Sequence, residues 1–502
     1  MIHLKVITNH AQLRPNAHAF IGTTCVMTWD EFRQETERKI AFLLNHYGND
    51  LPRQASYITP TRIEMMPWLA ALATLGIPFA GLDYSLPPAS LKALNNSINA
   101  DMVLLSSRSI LQNGDGMSLA SDNAMIFDLD SLSIPFIDCS TAGNKQSMLT
   151  MIENLALSER PYRSIGFTSG TTGLPKPVLR HTSFDQRRFA YFTERYKFTG
   201  EDIFLAVMPA YHAAGSGWIR LFLTLGAAVR IPFGESPRGM LNSLINNRIT
   251  ATVMTPVLLS MLIDAATKFK VMSIPSLRWL LVGGKHLSIS LKLRALAVLG
   301  SSLHEYYGTT ETGVNTIAEP ADISNYPASV GRPYDGNTIA ILDAAHQPLP
   351  VQCAGSVAVE SYMNMDAYGD GDTNTVELEG KRYFVTPDQG FLDQKGRLFL
   401  LNRSGIPGNH DHLYQLEDAI RNMPDVEDVA ILSGDENGAE QVTCILKIAS
   451  TTRPEAIFIE QIRILAERER IKLHTCRIVH SIPYSPSGKV RIRDLKLLLS
   501  AA

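Results

Sequence analysis

A run of small or hydroxylated residues, Thr168-Ser169-Gly170-Thr171-Thr172-Gly173, leads into Leu174-Pro175-Lys176. Such a run exposes backbone N–H groups, and its glycines let the chain fold tightly around an anion. The hydroxyls add donors and Lys176 adds a positive charge, so the chemistry offered is a cradle for phosphate oxygens. It is not a Walker A loop, which follows its lysine with Ser or Thr. By composition alone, a surface Ser/Thr/Gly loop also fits. A second group, Tyr307-Gly308-Thr309-Thr310-Glu311, joins an aromatic ring to hydroxyls and one carboxylate. The ring suits a purine and the hydroxyls a phosphate. Magnesium takes one or two carboxylates together with phosphate oxygens and water, which makes Glu311 the metal candidate. Thr386-Pro387-Asp388 supplies a carboxylate that accepts in two directions, as two vicinal hydroxyls require. Near the end, Pro483-Tyr484-Ser485-Pro486-Ser487-Gly488-Lys489 places one lysine in a Ser/Pro/Gly loop.

These groups need elements to hold them. Thr28-Trp29-Asp30-Glu31 has the capping-box form, followed by apolar positions Phe32, Ile40, Leu43 and Leu44 on one helix face. Ile63 to Leu75 reads as an apolar helix, Ile77 to Ala80 as a strand, Ala89 to Ile98 as a helix and Met102 to Leu105 as a strand. Helices alternating with short, nearly all-apolar strands predict a parallel-rich sheet with helices on both faces. Trp279 to Val282 runs into Gly283-Gly284, and Leu303 to Tyr307 runs into Gly308-Thr309-Thr310-Glu311. Ligands gather at the carboxyl ends of such strands, so both turns are expected to line a nucleotide site. Beyond about residue 330 strands follow one another without helices (Asn337 to Leu342, Gly355 to Glu360, Leu398 to Leu401), predicting a small β-rich subdomain. Ser404 to Asn409 reads as a linker. After it, helix and strand patterns (Leu413 to Met423, Val426 to Leu432, Gln441 to Ile448, Ile457 to Glu469) predict a small, mobile α+β domain. The expected division is 1–402 and 403–502.

Bulk properties narrow the class. With 45% hydrophobic and 19% charged residues the composition is that of a globular protein, and a net charge of −3 without long basic runs offers no nucleic-acid surface. No apolar run approaches the roughly 20 residues of a membrane helix. Cys25, Cys139, Cys353, Cys444 and Cys476 are scattered without metal-ligand spacing, and the first residues lack a secretory pattern. The expectation is reduced thiols in a cytoplasmic protein.

The Thr168 to Lys176 stretch resembles the signature loop of the adenylate-forming superfamily: acyl- and aryl-CoA synthetases, adenylation domains of peptide synthetases, and luciferase. The other three groups resemble further family motifs in the family's order, so the likeness spans nearly the whole chain. It implies ATP and Mg²⁺ as cofactors and a carboxylic acid as substrate, activated as an acyl-adenylate. It implies transfer to a phosphopantetheine thiol of CoA or a carrier protein. By resemblance, Thr168, Ser169, Gly170, Thr171, Thr172, Gly173 and Lys176 bind the phosphates. Gly283, Gly284, Tyr307, Gly308 and Thr309 line the nucleotide, Asp388 takes the ribose, and Arg403 stands at the domain junction. Thr310, Glu311, His212 and Lys489 carry the chemistry. Asp388 and Arg403 also allow a turn and a surface position, Lys489 a solvated loop, and His212 equally a satisfied core position.

The pattern breaks in places. Pro387 and Asn402 stand where the family usually has glycine. Arg403 to His410 is several residues short and lacks the usual lysine, which puts the thioester step in question. In Pro209-Ala210-Tyr211-His212-Ala213-Ala214-Gly215, which resembles the family's segment beside the acid pocket, no acidic residue is available for a substrate ammonium. An uncompensated ammonium there would be costly, so the acid is expected to be aryl or acyl and not an α-amino acid. Trp218, Tyr306 and Leu221-Phe222-Leu223 suit either that pocket or the core, and Lys285 is placed to meet a second polar group. Two other outcomes follow the same motifs: an adenylate handed to an amine, or a degenerate relative that binds nucleotide without turnover. The absence of Walker and protein-kinase loops disfavours a kinase further.

Overall fold

A computed structural model describes residues 1–48, 50–110, 124–132, 150, 163–168, 174–232, 236–403, 416–417, 419–421, 423–436, 439–449, 454–484, 490 and 495. Asn402 and Arg403 enter as backbone only, and every count below refers to described residues.

The largest sheet has nine strands. Its centre is parallel, running Leu303–Thr309, Trp279–Gly283, Ala251–Met254, Ile203–Leu205, Ala228–Arg230 and His18–Ile21. Gly313–Ala318 and Arg332–Pro333 close one edge antiparallel, and Val26–Thr28 closes the other. Ala251–Met254 and Trp279–Gly283 are buried at every position, as strands covered on both faces must be. A second, four-stranded sheet is wholly parallel: Phe79–Gly81, Ala55–Ile58, Met102–Leu105 and Met125–Asp128. The expected capping box forms, with the Glu31 N–H donating to Thr28 Oγ1 at 3.2 Å and the Thr28 N–H to Glu31 Oε2 at 2.7 Å. It starts the helix Trp29–Tyr47, whose Phe32, Ile40, Leu43 and Leu44 are buried. The apolar Ile63 to Leu75 stretch is a 3₁₀ turn, Ile63–Met65, continued by the helix Met66–Thr74.

The β-rich region is a five-stranded antiparallel sheet built on the long strand Lys381–Leu392, which pairs with Gly355–Glu360, Thr375–Leu378 and Leu398–Arg403. The C-terminal strands Val426–Glu436, Ala439–Ile448 and Leu473–Ile478 form a separate sheet. The helix Glu455–Arg468 packs there around Leu416, Ile420, Leu446 and Ile462. This unit has its own core. The linker Ser404 to Asn409 lies outside the described residues.

Two close approaches need glycine. A Cβ on Gly283 would stand 2.4 Å from the carbonyl oxygen of Tyr306 on the neighbouring strand, and one on Gly308 would stand 2.0 Å from that of Gly313. Both glycines flank the expected nucleotide turns.

Glu319 locks the strand pair carrying the Tyr307 to Glu311 turn against a helix. Its carboxylate receives His304 Nε2 at 3.0 Å, Arg195 Nη2 at 3.0 Å and the Tyr196 hydroxyl at 3.1 Å. Burial alone would raise its pKa, but the His304 hydrogen bond and the Arg195 guanidinium outweigh that and hold it at about 2. With the folded value below the unfolded one, the stabilisation is present at neutral pH and is lost as pH falls from about 4.5 towards 2. Glu319→Gln is therefore expected to destabilise by on the order of 1–2 kcal/mol at pH 7. In thermal melts the gap between wild type and variant should narrow below pH ~4.5. A gap independent of pH would overturn that account.

Candidate functional site

Thr168 and Lys176 stand at the end of an antiparallel strand pair, Ser164–Phe167 with Pro177–Arg180. The hairpin is closed at Thr168, whose N–H donates to the Lys176 carbonyl at 3.0 Å, while the Lys176 N–H donates to Thr168 Oγ1 at 2.9 Å. Ser169, Gly170, Thr171, Thr172 and Gly173 lie outside the described residues, between these two anchors. Ala367–Tyr368 adds a third strand beside Pro177–Arg180.

That third strand brings distant residues together. The Tyr368 hydroxyl donates to Glu311 Oε1 at 2.9 Å, and Lys176 Nζ lies 5.3 Å over the Tyr368 ring. Lys176 also pairs with Asp370 at 3.1 Å. Burial and then the neighbouring Glu311 charge push the Tyr368 pKa upwards, so the phenol stays a donor to that carboxylate. The backbone of Thr310 and Glu311 is fixed from beneath by Arg180, which is 7% exposed. Its Nη2 donates to both carbonyls, at 2.7 and 3.0 Å, and its Nε to the Met363 carbonyl at 2.8 Å. The hairpin strand passes close by, since a Cβ on Gly166 would come 3.3 Å from Thr310 Cγ2. Thr309 Oγ1 instead holds the turn, accepting the Thr312 N–H at 3.2 Å.

Asp388 joins the same region. Tyr307 donates its hydroxyl to Asp388 Oδ2 at 2.8 Å, and Thr386 Oγ1 receives the Asp388 N–H at 3.2 Å. Pro387 is accommodated inside the long strand, and Asp388 pairs in register with Arg403. His212 is the N-cap of the helix Ala213–Thr224, its Nδ1 accepting the Ala214 N–H at 3.4 Å. It also lines the central cleft and is only partly buried. Trp218 lines the cleft while stacking edge-on against Phe192 at 4.7 Å. Leu221, Phe222 and Leu223 are core. Tyr306 lies against Gly283 and lines the cleft, with burial raising its pKa to about 12. Lys285 is exposed at the cleft edge. Lys489 lies outside the described residues.

The cleft, about 2810 Å³, holds Thr168, Lys176, Glu311, Tyr368 and Asp388 on its walls. It exceeds the 300–1,000 Å³ of a single ligand pocket because it runs from the His212 region to Arg421, Asp428 and Tyr484 of the C-terminal unit. Arg180, Tyr368 and Asp370 were not singled out from the sequence. Arg180 alone left a signal there, as a lone cation ending the apolar strand Pro177-Val178-Leu179.

A single carboxylate at Glu311, beside Lys176 and a phosphate-type loop, suits magnesium carried on a polyphosphate, which needs few protein ligands. Consistently, no group of three or more His, Cys, Asp or Glu side chains among the described residues is placed to hold a metal alone. Nor is any described helix long and apolar enough to cross a membrane.

Residues 7–369 match the model of the AMP-binding enzyme family, and the chain belongs to that family. Among its relatives is the fatty acid–[acyl-carrier-protein] ligase ScoC of Streptomyces coeruleorubidus, 26% identical over 349 residues. That alignment covers 66% of this chain and 66% of ScoC, just under two thirds of the relative's length. 4-Coumarate–CoA ligase 1 of Arabidopsis thaliana is 24% identical over 467 residues, 86% of this chain and 79% of that one. The solved o-succinylbenzoate coenzyme A synthetase of Bacillus subtilis, in complex with AMP, shares the fold with a TM-score of 0.75 over 98% of both chains, at 18% identity. The family architecture expected above, a large α/β domain with a β-rich part followed by a small C-terminal domain, is thus the one observed.

Proposed function

We propose that this chain activates a carboxylic acid with Mg²⁺-ATP and then transfers the acyl group to a phosphopantetheine thiol of CoA or a carrier protein. In the first step a carboxylate oxygen of the acid forms a bond to the α-phosphorus. The bond from that phosphorus to the β-phosphate bridge breaks, and pyrophosphate leaves with the electron pair. The observation that carries this reading is the gathering of Lys176, Glu311 and the Tyr307–Asp388 pair around one cleft. The names of relatives, an acyl-carrier-protein ligase and a CoA ligase, support the same acceptor chemistry.

In this reading the Thr168 to Lys176 loop and Thr309–Thr310 hold the phosphates. Gly283, Gly284, Tyr307 and Gly308 line the base, and Asp388 accepts from the ribose hydroxyls. Glu311 holds magnesium, which supplies charge neutralisation on the polyphosphate. His212 stands beside the acid. Lys489 stabilises the charge that builds on the α-phosphoryl oxygens in the transition state. Residues 1–402 form the core, and 403–502 the lid that brings Lys489 in. We place the protein in the cytoplasm.

ATP–pyrophosphate exchange over a panel of aryl, fatty and amino acids tests the activation. Exchange is expected with aryl or acyl acids and not with α-amino acids. Its absence with every acid would overturn the reading. Product analysis with CoA and with a phosphopantetheinylated carrier then tests the acceptor: an adenylate that accumulates with both thiols would assign transfer to an amine or another acceptor.

A further inference from the structure

The acid-facing end of the cleft contains a buried guanidinium that the reading above leaves without a task. Arg188, on the helix Asp185–Tyr196, is 7% exposed and lines the cleft alongside Phe184, Tyr211 and Trp218. It stands 5.5, 5.2 and 5.6 Å over the rings of Phe184, Phe189 and Trp218. It packs so tightly on Gly217 that a Cβ there would come 2.7 Å from Nη2. Among the described residues, Nε and Nη2 of Arg188 have no hydrogen-bond partner.

Its neighbours balance its charge only in part. Asp185 Oδ1 stands 3.8 Å from Nη2, outside hydrogen-bond reach. Both Asp185 oxygens instead receive Arg220, each at 3.0 Å. Two guanidiniums therefore share one carboxylate. The remaining titratable groups facing the pair are the Tyr57, Tyr334 and Tyr362 hydroxyls and the Met1 amino group. Arginine stays charged in proteins, and a buried charge that is only partly compensated is costly. Aromatic faces recover only part of that cost. A planar donor fork with unpartnered N–H groups, on a side chain that lines the cleft, suits a carboxylate best.

We propose that Arg188 receives a second anionic group on the substrate, so that the acid activated here is a dianion, in the simplest case a dicarboxylic acid. This rests on the adenylation reading above. Gly217, against which Arg188 packs, lies about one and a half turns beyond His212 on the same helix. Phe184 and Trp218 line the cleft beside both residues.

The test compares α,ω-dicarboxylic acids, and an aryl diacid such as benzene-1,4-dicarboxylate, with their monomethyl esters, which keep one reactive carboxylate. In wild type, kcat/KM for exchange should favour the diacid by at least about 10²-fold. In Arg188→Met that ratio should collapse towards one. Equal or better use of the monoesters by wild type overturns the proposal while leaving adenylation intact. Thermal-shift binding gives a readout free of turnover: the diacid-induced shift should vanish in Arg188→Met while the ATP-induced shift persists. If no acid supports exchange but an Arg188-dependent diacid shift remains, adenylation fails and the second-anion site stands. Should Arg188→Met lose the ATP shift too, Arg188→Lys decides. A diacid-to-ester ratio lowered about tenfold or more supports the assignment, and an unchanged ratio refutes it.

Discussion

Replacing Lys489 with alanine is expected to lower acid-dependent ATP–pyrophosphate exchange by about 10²–10³-fold or more while ATP binding persists. The asymmetry follows from when the charge is needed. Bound ATP already has its charge distributed over the polyphosphate, and in the proposed reading Lys176 and the loop serve that ground state. As the acid's oxygen approaches the α-phosphorus, negative charge builds on the non-bridging oxygens, and a lysine aimed at them is worth more then than before. Removing it raises the barrier without emptying the site. ATP affinity by calorimetry and exchange with a cognate acid separate the two effects. Undiminished exchange in Lys489→Ala would remove this residue from the mechanism.

The second large effect is expected at Glu311. Its side chain is held by the Tyr368 hydroxyl at 2.9 Å, and its backbone carbonyl accepts from Arg180 and from the Met365 N–H at 2.7 Å. The carboxylate is thereby positioned before any ligand arrives. Glu311→Gln keeps the shape and an acceptor for Tyr368 but deletes the charge. Exchange is expected to fall at least about 10²-fold, with half-saturating magnesium rising about tenfold. Tyr368→Phe keeps the carboxylate and loses only its orientation, so it should cost less, on the order of tenfold. A magnesium dependence unchanged in Glu311→Gln would show that the ion is held elsewhere. A Tyr368→Phe defect equal to that of Glu311→Gln would mean that orientation and not charge dominates.

Much of the local architecture was legible in the residues. Thr28 and Glu31 satisfy each other's backbone donors within one turn, so their cap forms wherever that helix sits. Met102 to Leu105 reads as a buried strand and is one, because four consecutive apolar side chains can only be hidden in a sheet covered on both sides. The Thr168 to Lys176 stretch and the Tyr307 to Glu311 turn announce phosphate chemistry through donor type and glycine spacing, both properties of a few adjacent residues. By contrast, the environment of Glu311 was not legible. Tyr368 lies 57 residues away and Arg180 lies 131 away. Their approach depends on Ala367–Tyr368 pairing in register with Pro177–Arg180. His212 shows the same limit, since residue type left pocket and core open and only the fold made it both a helix cap and a cleft wall.

The amino-acid sequence by itself determined the motifs by which the chain is placed in the AMP-binding enzyme family. Phosphate cradles, metal carboxylates and helix caps are short-range devices whose chemistry survives in the order of neighbouring residues. Tertiary structure decided which of the many charged groups meet in the cleft and which stay paired elsewhere. Asp185 and Arg188 look like an ordinary ion pair one helical turn apart. Only when Arg220 arrives from another helix to occupy the carboxylate does Arg188 become a buried, partly compensated cation on the cleft wall. The reason is physical: desolvation and Coulomb attraction depend on distance in space, and the chain sets that distance only once its sheets and helices have packed.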